Sequence, residues 1–341
     1  MNKRIKILMT GGTGFLGKYV LETLRTDADI EVDVISRSKT TEIQGDLTKW
    51  NAGIDIDSLA SKNYDVFLNL AGLYDLTASR SDVLINNVVG TSTALRIAGL
   101  LKIPVFVSTS SIAAATNLSA FEVGPYDVDF SRPFHDPYAE SKALTEQQLK
   151  NCLSPIRIKI NLRLGILVGD SVNGKIMRID GPYHTASTFS QLKKFIESWK
   201  LRLPVPGNPD VRLPLVPVDI AAKALVQIAK WGIGSKETGY KSFHIVPNEG
   251  LSIKELYIST LQHLEIHHSQ LLFIKHIPDR VAMKISQHAL GFPEEQLRYA
   301  LHLPRYNSDD TCKILGTHWC PEFSNYEKNF WSGYENYLQN R

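Results

Sequence analysis

The stretch IKILMTGGTGFLGKYVLETLR, residues 5–25, places an apolar run, a glycine-rich turn and a helical pattern one after another. The apolar run Ile5–Met9 predicts a buried strand, and Tyr19–Arg25 continues a helix. Between them lie three regularly spaced glycines: Gly11, Gly14 and Gly17. In such a turn the first glycine permits a tight bend, the second lets the backbone approach a pyrophosphate, and the third lets the helix pack closely on the strand. Because the helix N-terminus also offers free N–H groups, this stretch predicts a dinucleotide-binding turn.

Strand and helix patterns alternate over the first half of the chain. Further strands are predicted at Glu31–Ser36, Tyr64–Leu70, Ile103–Ser108 and Ile156–Leu164, and long helices at Asp82–Leu101 and Tyr138–Lys150. This alternation predicts crossover units, so the expected fold class is α/β, with a doubly wound parallel sheet of the Rossmann type. After Gly169 turns and prolines dominate. We therefore expect residues 1–168 to bind the cofactor and carry the catalytic residues, and residues 169–341 to form a smaller substrate-binding region, partly interleaved with the first.

The composition argues against several classes of protein. The 341 residues carry 38 Lys plus Arg and 35 Asp plus Glu, and the resulting charge of +3 is small for a specialised nucleic-acid binder. Three cysteines without a CxxC pair indicate neither a disulfide framework nor a zinc site, which favours a reducing, cytoplasmic location. The basic start is followed by the short apolar run Ile5–Met9, which Thr10–Gly12 interrupts at once, so we expect no signal peptide. No uninterrupted apolar stretch in the sequence is long enough to span a bilayer.

Two further clusters have plain interpretations. The stretch Gln191–Arg202 is amphipathic and basic, which is compatible with weak peripheral contact to a membrane or to an acidic carrier, although a surface helix is the favoured interpretation. His263, His267 and His268 lie close in sequence, but no Cys or carboxylate stands at ligand spacing. We therefore expect no metal site and interpret the three histidines as a solvated helix face.

The end of the second predicted strand indicates which dinucleotide is bound. An Asp or Glu there would bond the 2′-hydroxyl of NAD. This chain has Ser36 followed by Arg37, and a guanidinium suits a phosphate dianion. We therefore predict NADP(H) as cofactor. The expected binding residues are Arg37 and six residues of the glycine turn: Gly11, Thr13, Gly14, Phe15, Leu16 and Gly17.

A second group of residues predicts an acid–base site. Tyr138 and Lys142 stand at i and i+4, on one face of a predicted helix. A phenol titrates near about 10 in water, and a cation one turn away lowers that value towards neutral pH. Upstream, the strand Ile103–Ser108 ends in the hydroxyl run Thr109–Ser111, at the edge where parallel sheets bind ligands. A glycine turn, a hydroxyl run and a Tyr/Lys pair are each common in proteins. Their occurrence together, in this order along the chain, is specific for a dinucleotide-dependent acid–base site.

In these motifs the chain resembles the extended short-chain dehydrogenase/reductase family over residues 5 to about 250. Besides the glycine turn and Tyr138–Lys142, the resemblance rests on Gly45–Leu47, Asn69–Gly72, Asn86–Thr91 and Val107–Ser111. It implies that Tyr138, Lys142 and Ser110 are catalytic, with Ser111 as the alternative to Ser110.

The resemblance also implies further cofactor contacts. Asp46 and Leu47 would flank the adenine, and Ala71 would line the cofactor groove. Asn86 or Asn87 would lie near the nicotinamide, where Tyr138 and Lys142 also contact the cofactor. Gly165 is expected on the nicotinamide side too, although Arg163-Leu164-Gly165 stands here in place of the family's Arg-Pro-Gly.

Three later segments are similar to the fatty-acyl, or thioester, reductase branch of that family: Val168–Gly174, Asp180–Tyr183 and Leu215–Asp219. This likeness implies NADPH-dependent reduction of a small-molecule carbonyl, most simply an apolar acyl thioester or a long-chain aldehyde or ketone, with Tyr138 as general acid. It also allows a homodimer through the helices Asp82–Leu101 and Tyr138–Lys150. Two other functions remain open: a nucleotide-sugar epimerase or dehydratase, or a reductase of steroid-like or flavonoid-like ketones. A non-catalytic NADP sensor is disfavoured, since the Tyr and Lys are retained.

Overall fold

A seven-stranded parallel sheet organises the first half of the chain. The computed structural model describes residues 4–75, 78–118, 120–198, 202–267, 270–275 and 294–340. Its strands in chain order are β1 (Ile5–Thr10), β2 (Ile30–Ser36), β3 (Ile43–Gln44), β4 (Val66–Asn69), β5 (Val105–Ser111), β6 (Glu122–Val123), β7 (Ile158–Leu164), β8 (Ile166–Val168), β9 (Leu203–Pro206), β10 (Arg212–Leu213), β11 (Leu215–Pro217), β12 (Gly239–Ile245), β13 (Leu251–Ser252), β14 (Leu271–Ile274) and β15 (Arg305–Tyr306).

Helices connect and cover these strands. They are α1 (Phe15–Arg25), α2 (Ile56–Ala60), α3 (Arg80–Leu84), α4 (Gly90–Leu100), α5 (Pro137–Asn151), α6 (Tyr183–Ser198), α7 (Val218–Gly234), α8 (Ile253–His263), α9 (Glu294–Leu301), α10 (Asp309–Leu315) and α11 (Glu327–Gln339). A π-helical turn, Ile85–Val89, joins α3 and α4 into one continuous helix. The two long helices predicted from the sequence are thus present, with their ends shifted by no more than two residues.

The order of the strands in the large sheet reverses at β1. The order is β12-β7-β5-β4-β1-β2-β3, and every strand runs parallel to its neighbours. β1 pairs with both β2 and β4, so the chain builds the sheet first in one direction and then in the other. Such a reversal opens a crevice at the carboxyl ends of the strands, where α/β proteins bind ligands. The glycine turn follows β1 and therefore lies at this crevice, and the predicted α/β fold class is confirmed.

Apolar side chains bury both faces of the large sheet, as expected for a parallel sheet. On one face Phe67 and Phe106 stack with their ring centroids 5.3 Å apart, in a cluster that includes Ile97 of α4 and Leu149 of α5. On the other face Gly232 brings α7 close to the strands, since an added Cβ there would lie 2.8 Å from the Ile160 Cδ1. This packing places the end of α5 against the first residues of β5.

The chain divides into two compact units. The first comprises Met1–Gly165, Val218–Ile245 and Tyr306–Trp319 and contains the large sheet. The second comprises Ile166–Pro217, Val246–Arg305 and Cys320–Arg341. In its described residues β8 pairs with β11, β9 with β14, and β10 with β13. Residues beyond 169 therefore contribute β12, α7 and α10 to the first unit.

One helix in the described residues, Arg80–Leu100, is long and apolar enough to cross a membrane. Half of the most apolar 18-residue stretch of this helix is buried within the protein. A core helix meets the same criteria of length and composition, and Ile97 of this helix packs in the core cluster with Phe67 and Phe106.

Candidate active site

The glycine turn after β1 is a cradle that side chains would fill. Gly11 has a φ of +75°, and an added Cβ there would lie 2.5 Å from the Ala71 backbone nitrogen. A Cβ on Gly17 would collide with the Gly11 carbonyl oxygen. The Gly14 N–H donates to that same oxygen at 3.0 Å, which closes the turn. Only glycine fits at positions 11 and 17, because the backbone bends sharply there and packs closely against other backbone atoms.

The first turn of α1 is open to an anionic ligand. Gly14 is the N-cap residue and no side chain caps the helix. The neighbouring predicted residues Thr13 and Gly14 are exposed, and Phe15 and Leu16 are partly exposed. An uncapped N-terminus presents N–H groups and the positive end of the helix dipole. The turn thus fits the pyrophosphate of a dinucleotide.

The residues predicted on the adenine side lie after β2 and β3. Arg37 is exposed, one residue beyond β2, and Ser36 is partly buried at its end. The Asp46 Oδ1 accepts from the Thr48 N–H at 3.0 Å and the Thr48 hydroxyl at 2.8 Å. These bonds, with the positive charge of Arg37 nearby, hold the pKa of Asp46 below its usual value. Leu47 is partly buried against the apolar cluster under the sheet.

Tyr138 and Lys142 stand one turn apart on α5. The start of this helix is fixed by two residues. Pro137 is its first residue, and the Asp136 carboxylate caps the helix by accepting from the Ala139 N–H at 2.8 Å. The Lys142 Nζ lies 5.6 Å from the centre of the Tyr138 ring. The predicted Tyr/Lys pair is therefore brought together.

Lys142 is a buried cation of this site. It is 8% exposed, and its Nζ donates to the Thr109 carbonyl oxygen at 3.0 Å. Burial lowers the pKa of Lys142 to about 8, while the negative charge of Glu146 acts in the opposite direction. The hydrogen bond between the Lys142 ammonium and the Thr109 carbonyl connects α5 directly to the end of β5.

The hydroxyl of Ser110 points into a buried ion pair. Ser110 is 2% exposed and donates to the Glu146 Oε1 at 2.6 Å. The guanidinium of Arg163 binds both oxygens of the same carboxylate, with Nε at 2.9 Å and Nη2 at 2.6 Å. Arg163 also donates to the carbonyl oxygens of Gly124 and Asp127. Ser110 thus has a fixed structural partner.

The two neighbours of Ser110 lie on the other face of β5, because successive residues of a strand point to opposite faces. Both Thr109 and Ser111 are partly exposed. The Ser111 hydroxyl accepts from the Ala113 N–H at 3.2 Å and so caps the short helical turn Ile112–Ala115. Thr109 is the residue whose carbonyl oxygen receives the Lys142 ammonium.

Asn86 and Asn87 have different surroundings. The predicted residue, Asn86, donates to the Asp82 carbonyl of its own helix at 2.8 Å. Asn87 is 2% exposed and bonds both the N–H and the carbonyl of Leu73, at 2.6 Å and 3.1 Å. Its Nδ2 also donates to the Ser141 hydroxyl of α5 at 2.9 Å. Of the two asparagines named from the motif, Asn87 is the one connected to α5.

The remaining two predicted residues line the carboxyl ends of the strands. Ala71 follows β4, and its N–H donates to the Thr10 hydroxyl at 3.4 Å. Gly165 follows β7, and its N–H donates to the Ile245 carbonyl at 3.0 Å. Both are partly buried.

Sequence reasoning missed the buried group formed by Glu146 and Arg163. One signal was available: Glu146 continues the series Tyr138, Lys142 at intervals of four and so shares their helix face. Nothing local in the sequence indicates that Arg163, inside an apolar strand, would be fully buried. Buried arginines are expected only with a partner, and here Glu146 supplies it.

In the second unit, Gly169 and Tyr183 from two of the quoted motifs are in contact. The Tyr183 hydroxyl accepts from the Gly169 N–H at 3.0 Å. The ring stacks on Phe330 with centroids 4.2 Å apart, and burial raises the pKa of Tyr183 above its ordinary range. Tyr183 is therefore a packing residue with a satisfied hydroxyl.

The interpretation of the histidines as one solvated face is wrong for His263. Its side chain is 12% exposed, its ring stacks on Trp331 at 4.8 Å, and its Nε2 lies 3.5 Å from Glu335. His267 is exposed, and His268 lies outside the described residues. The error arose because α11, which covers His263, is distant in sequence. In the basic stretch, α6 ends at Ser198, and residues 199–201 lie outside the described part of the chain.

Comparison with known proteins supports this picture. Residues 25–225, more than half of the chain, match the model of an NAD-binding family described as Male sterility protein. A nonribosomal peptide synthetase, asaC, of Aspergillus flavus is 26% identical over 281 residues, covering 71% of this chain and 26% of that protein. The chain thus spans about a quarter of the length of this curated relative.

Solved structures share the fold. The terminal R domain of the myxalamid PKS-NRPS biosynthetic pathway has a TM-score of 0.78 at 19% identity, over 99% of this chain and 92% of that one. The UDP-glucose 4-epimerase of Thermotoga maritima with UDP-glucose has a TM-score of 0.64 at 15% identity, over 98% and 100%. WbmG of Bordetella bronchiseptica with NAD has a TM-score of 0.66 at 18% identity, over 98% and 96%.

The fold and the ordered motifs define an extended short-chain dehydrogenase/reductase, an NAD(P)-dependent class of enzyme. Within that class the chain belongs to the Male sterility protein family. The resemblance to the thioester reductase branch, predicted from three segments of sequence, is confirmed.

Proposed function

We propose that this chain is an NADPH-dependent reductase of a carbonyl group, with an acyl thioester or a long-chain aldehyde or ketone as substrate. The observation that carries the proposal is the pairing of Tyr138 with the buried Lys142 at the carboxyl end of the sheet. An acidic group and a cation held one turn apart, beside a dinucleotide cradle, suit proton donation to a substrate oxygen.

The cofactor would be held by the glycine turn, by Arg37 at the 2′-phosphate, and by Lys142 at the nicotinamide ribose. When bound, NADPH supplies a hydride. Two observations support the choice of NADPH: Ser36 stands where an acid would bond the ribose of NAD, and Arg37 is exposed beside it. We also propose that residues 1–168 supply the cofactor side and that residues 169–341, which are partly interleaved with them, supply the substrate side.

Tyr138 acts as the general acid in this proposal. Its phenol gives a proton to the carbonyl oxygen as the carbonyl carbon gains a hydride. The Lys142 ammonium stabilises the phenolate that remains, because a nearby positive charge favours the charged form of an acid. Its hydrogen bond to Thr109 and its burial keep the ammonium in place and dry, which strengthens this effect.

We assign the hydroxyl that bonds the substrate oxygen to Thr109 and no longer to Ser110. Ser110 is engaged by Glu146, and Ser111 caps a helical turn. Thr109 is partly exposed and lies next to Lys142 through its carbonyl group. A hydroxyl in that place would stabilise the negative charge that develops on the oxygen.

The same addition of hydride and proton serves two kinds of substrate. An acyl thioester gives a hemithioacetal, whose carbon–sulfur bond then breaks to leave an aldehyde and a free thiol. An aldehyde or ketone gives an alcohol. Membership of the thioester reductase branch favours the first, with coenzyme A or an acyl carrier as the thiol. A cytoplasmic location and a homodimer through α3–α4 and α5 are further proposals.

Replacing Tyr138 with Phe tests the general acid. Because Phe keeps the ring and loses the proton, we expect kcat to fall by about a hundredfold or more while the Kd for NADPH is unchanged. NADPH oxidation is followed with an acyl-coenzyme A, an aldehyde and a UDP-sugar. The control is Tyr126→Phe, an exposed tyrosine that is expected to leave kcat unchanged.

Full turnover by Tyr138→Phe would contradict the assignment. Conversion of the UDP-sugar without net loss of NADPH would instead identify an epimerase. Tight NADPH binding by the parent protein with no turnover of any substrate would identify a non-catalytic sensor.

Replacing Arg37 with Ala tests the choice of cofactor. Loss of a charge-assisted contact to the 2′-phosphate should raise the Kd for NADPH by about tenfold and leave the Kd for NADH nearly the same. Fluorescence titration measures both. Lys236→Ala is the matched control, since Lys236 is an exposed cation just before β12. Tighter binding of NADH than of NADPH by the parent protein would overturn the assignment.

A set of three variants locates the active hydroxyl. Thr109→Val should lower kcat by about a hundredfold with an unchanged free energy of unfolding. Ser110→Ala should cost about 1–3 kcal/mol of unfolding free energy, because a buried carboxylate loses a donor, with a smaller change in kcat. Ser111→Ala should change kcat little. Loss of turnover in Ser110→Ala, with full turnover in Thr109→Val, would return the role to Ser110.

A further inference from the structure

The loop after β4 forms a wall beside Tyr138 and Lys142. An added Cβ on Gly72 would lie 3.6 Å from the Lys142 Nζ and 3.2 Å from the Asn87 Oδ1. Two residues later the ring of Tyr74 meets the ring of Tyr138 edge to face, with centroids 5.0 Å apart and an interplanar angle of 66°. Residues 72–74 therefore lie beside both members of the proposed acid–base pair.

Asn87 holds this wall in place. Its side-chain amide makes two hydrogen bonds to Leu73, the middle residue of the wall, in the way that a neighbouring strand would. The same amide donates to Ser141 on α5. Asn87 lies in the π-helical turn Ile85–Val89, and turns of this kind within α-helices occur frequently at functional sites. The position of Leu73 is thus fixed relative to α5.

A second tie lies just beyond the wall. The Arg80 Nε and Nη2 donate to the two carboxylate oxygens of Glu140, at 2.7 Å and 2.5 Å. Glu140 is two residues after Tyr138 on α5. Paired hydrogen bonds between a guanidinium and a carboxylate fix direction as well as distance. The start of α3 is therefore anchored to the same turn of α5 that carries Tyr138.

Tyr74 stays 45% exposed despite these ties. An aromatic ring held in place offers a large apolar surface at a small cost in conformational entropy. We propose that Tyr74 is a specificity-determining residue, whose ring packs against the carbon chain next to the reacting carbonyl. The inference rests on the proposed carbonyl reduction and narrows its substrate class to acyl groups with an extended apolar chain.

Two aldehydes of different length test this role without any carrier or coenzyme. We compare kcat/KM for octanal and acetaldehyde with NADPH in the parent protein and in Tyr74→Ala. A two-carbon substrate ends before it can cover the ring, whereas an eight-carbon substrate covers it. The ratio of kcat/KM for octanal to kcat/KM for acetaldehyde should fall by about tenfold in Tyr74→Ala. This is the size of effect expected when one apolar contact with the substrate is lost. Tyr74→Phe keeps the ring and should keep the ratio.

The control is Tyr126→Ala. Tyr126 is 50% exposed, and its ring meets Tyr240 edge to face at 6.0 Å, near the amino end of β12. This variant should keep the parent ratio. The Kd for NADPH is measured in every variant, so that a change in cofactor binding is recognised.

Any of three results would overturn the inference. In the first, the octanal-to-acetaldehyde ratio of kcat/KM is the same in Tyr74→Ala as in the parent protein. In the second, this ratio falls equally in Tyr126→Ala; in the third, Tyr74→Ala loses activity with both aldehydes together while its Kd for NADPH rises. Failure of the proposed function looks different: the parent protein then binds NADPH but reduces neither aldehyde nor octanoyl-coenzyme A.

Discussion

The buried ammonium group of Lys142 joins α5 to the carboxyl end of β5. Lys142 is 8% exposed, yet its Nζ has a carbonyl partner, Thr109, and a carboxylate nearby, Glu146. A buried charge without such partners would be very costly, so the groups around Lys142 are constrained to supply them. The end of β5 must lie beside the second turn of α5, which also sets the position of Tyr138. The geometry of the proposed active site therefore depends on how this one charge is accommodated.

The other polar contacts of α5 serve the same arrangement. On one side the Glu146 carboxylate ties α5 to β5 through Ser110 and to β7 through Arg163. On another side Ser141 is bonded by Asn87, which carries the loop after β4. Three strand ends thus meet one helix, each through a hydrogen-bonded polar group in an otherwise apolar setting. Buried polar networks whose members are all satisfied are rigid, and a rigid setting is what proton donation requires.

The sequence predicted much of the fold but only part of the site. The glycine turn, the long helices and the parallel sheet follow from local patterns, and so does the Tyr138/Lys142 pair, because a helix brings i and i+4 together. The partner of Ser110 did not follow, because the strand pattern says that alternate residues face opposite sides but not which side is occupied by Glu146. Asn87 and His263 have partners that are distant in sequence, and such contacts arise only when the whole chain is packed.

The pH dependence of kcat/KM tests most directly the claim that a charged Lys142 sustains the reaction. The pKa of Lys142 is lowered to about 8 by burial, so the ammonium is present below that pH and lost above it. We expect kcat/KM for NADPH-dependent octanal reduction to fall as pH rises through about 8. In Lys142→Arg, whose guanidinium stays protonated, any fall should move to higher pH. A parent profile that stays flat up to pH ~10, or an unchanged midpoint in Lys142→Arg, would contradict the account.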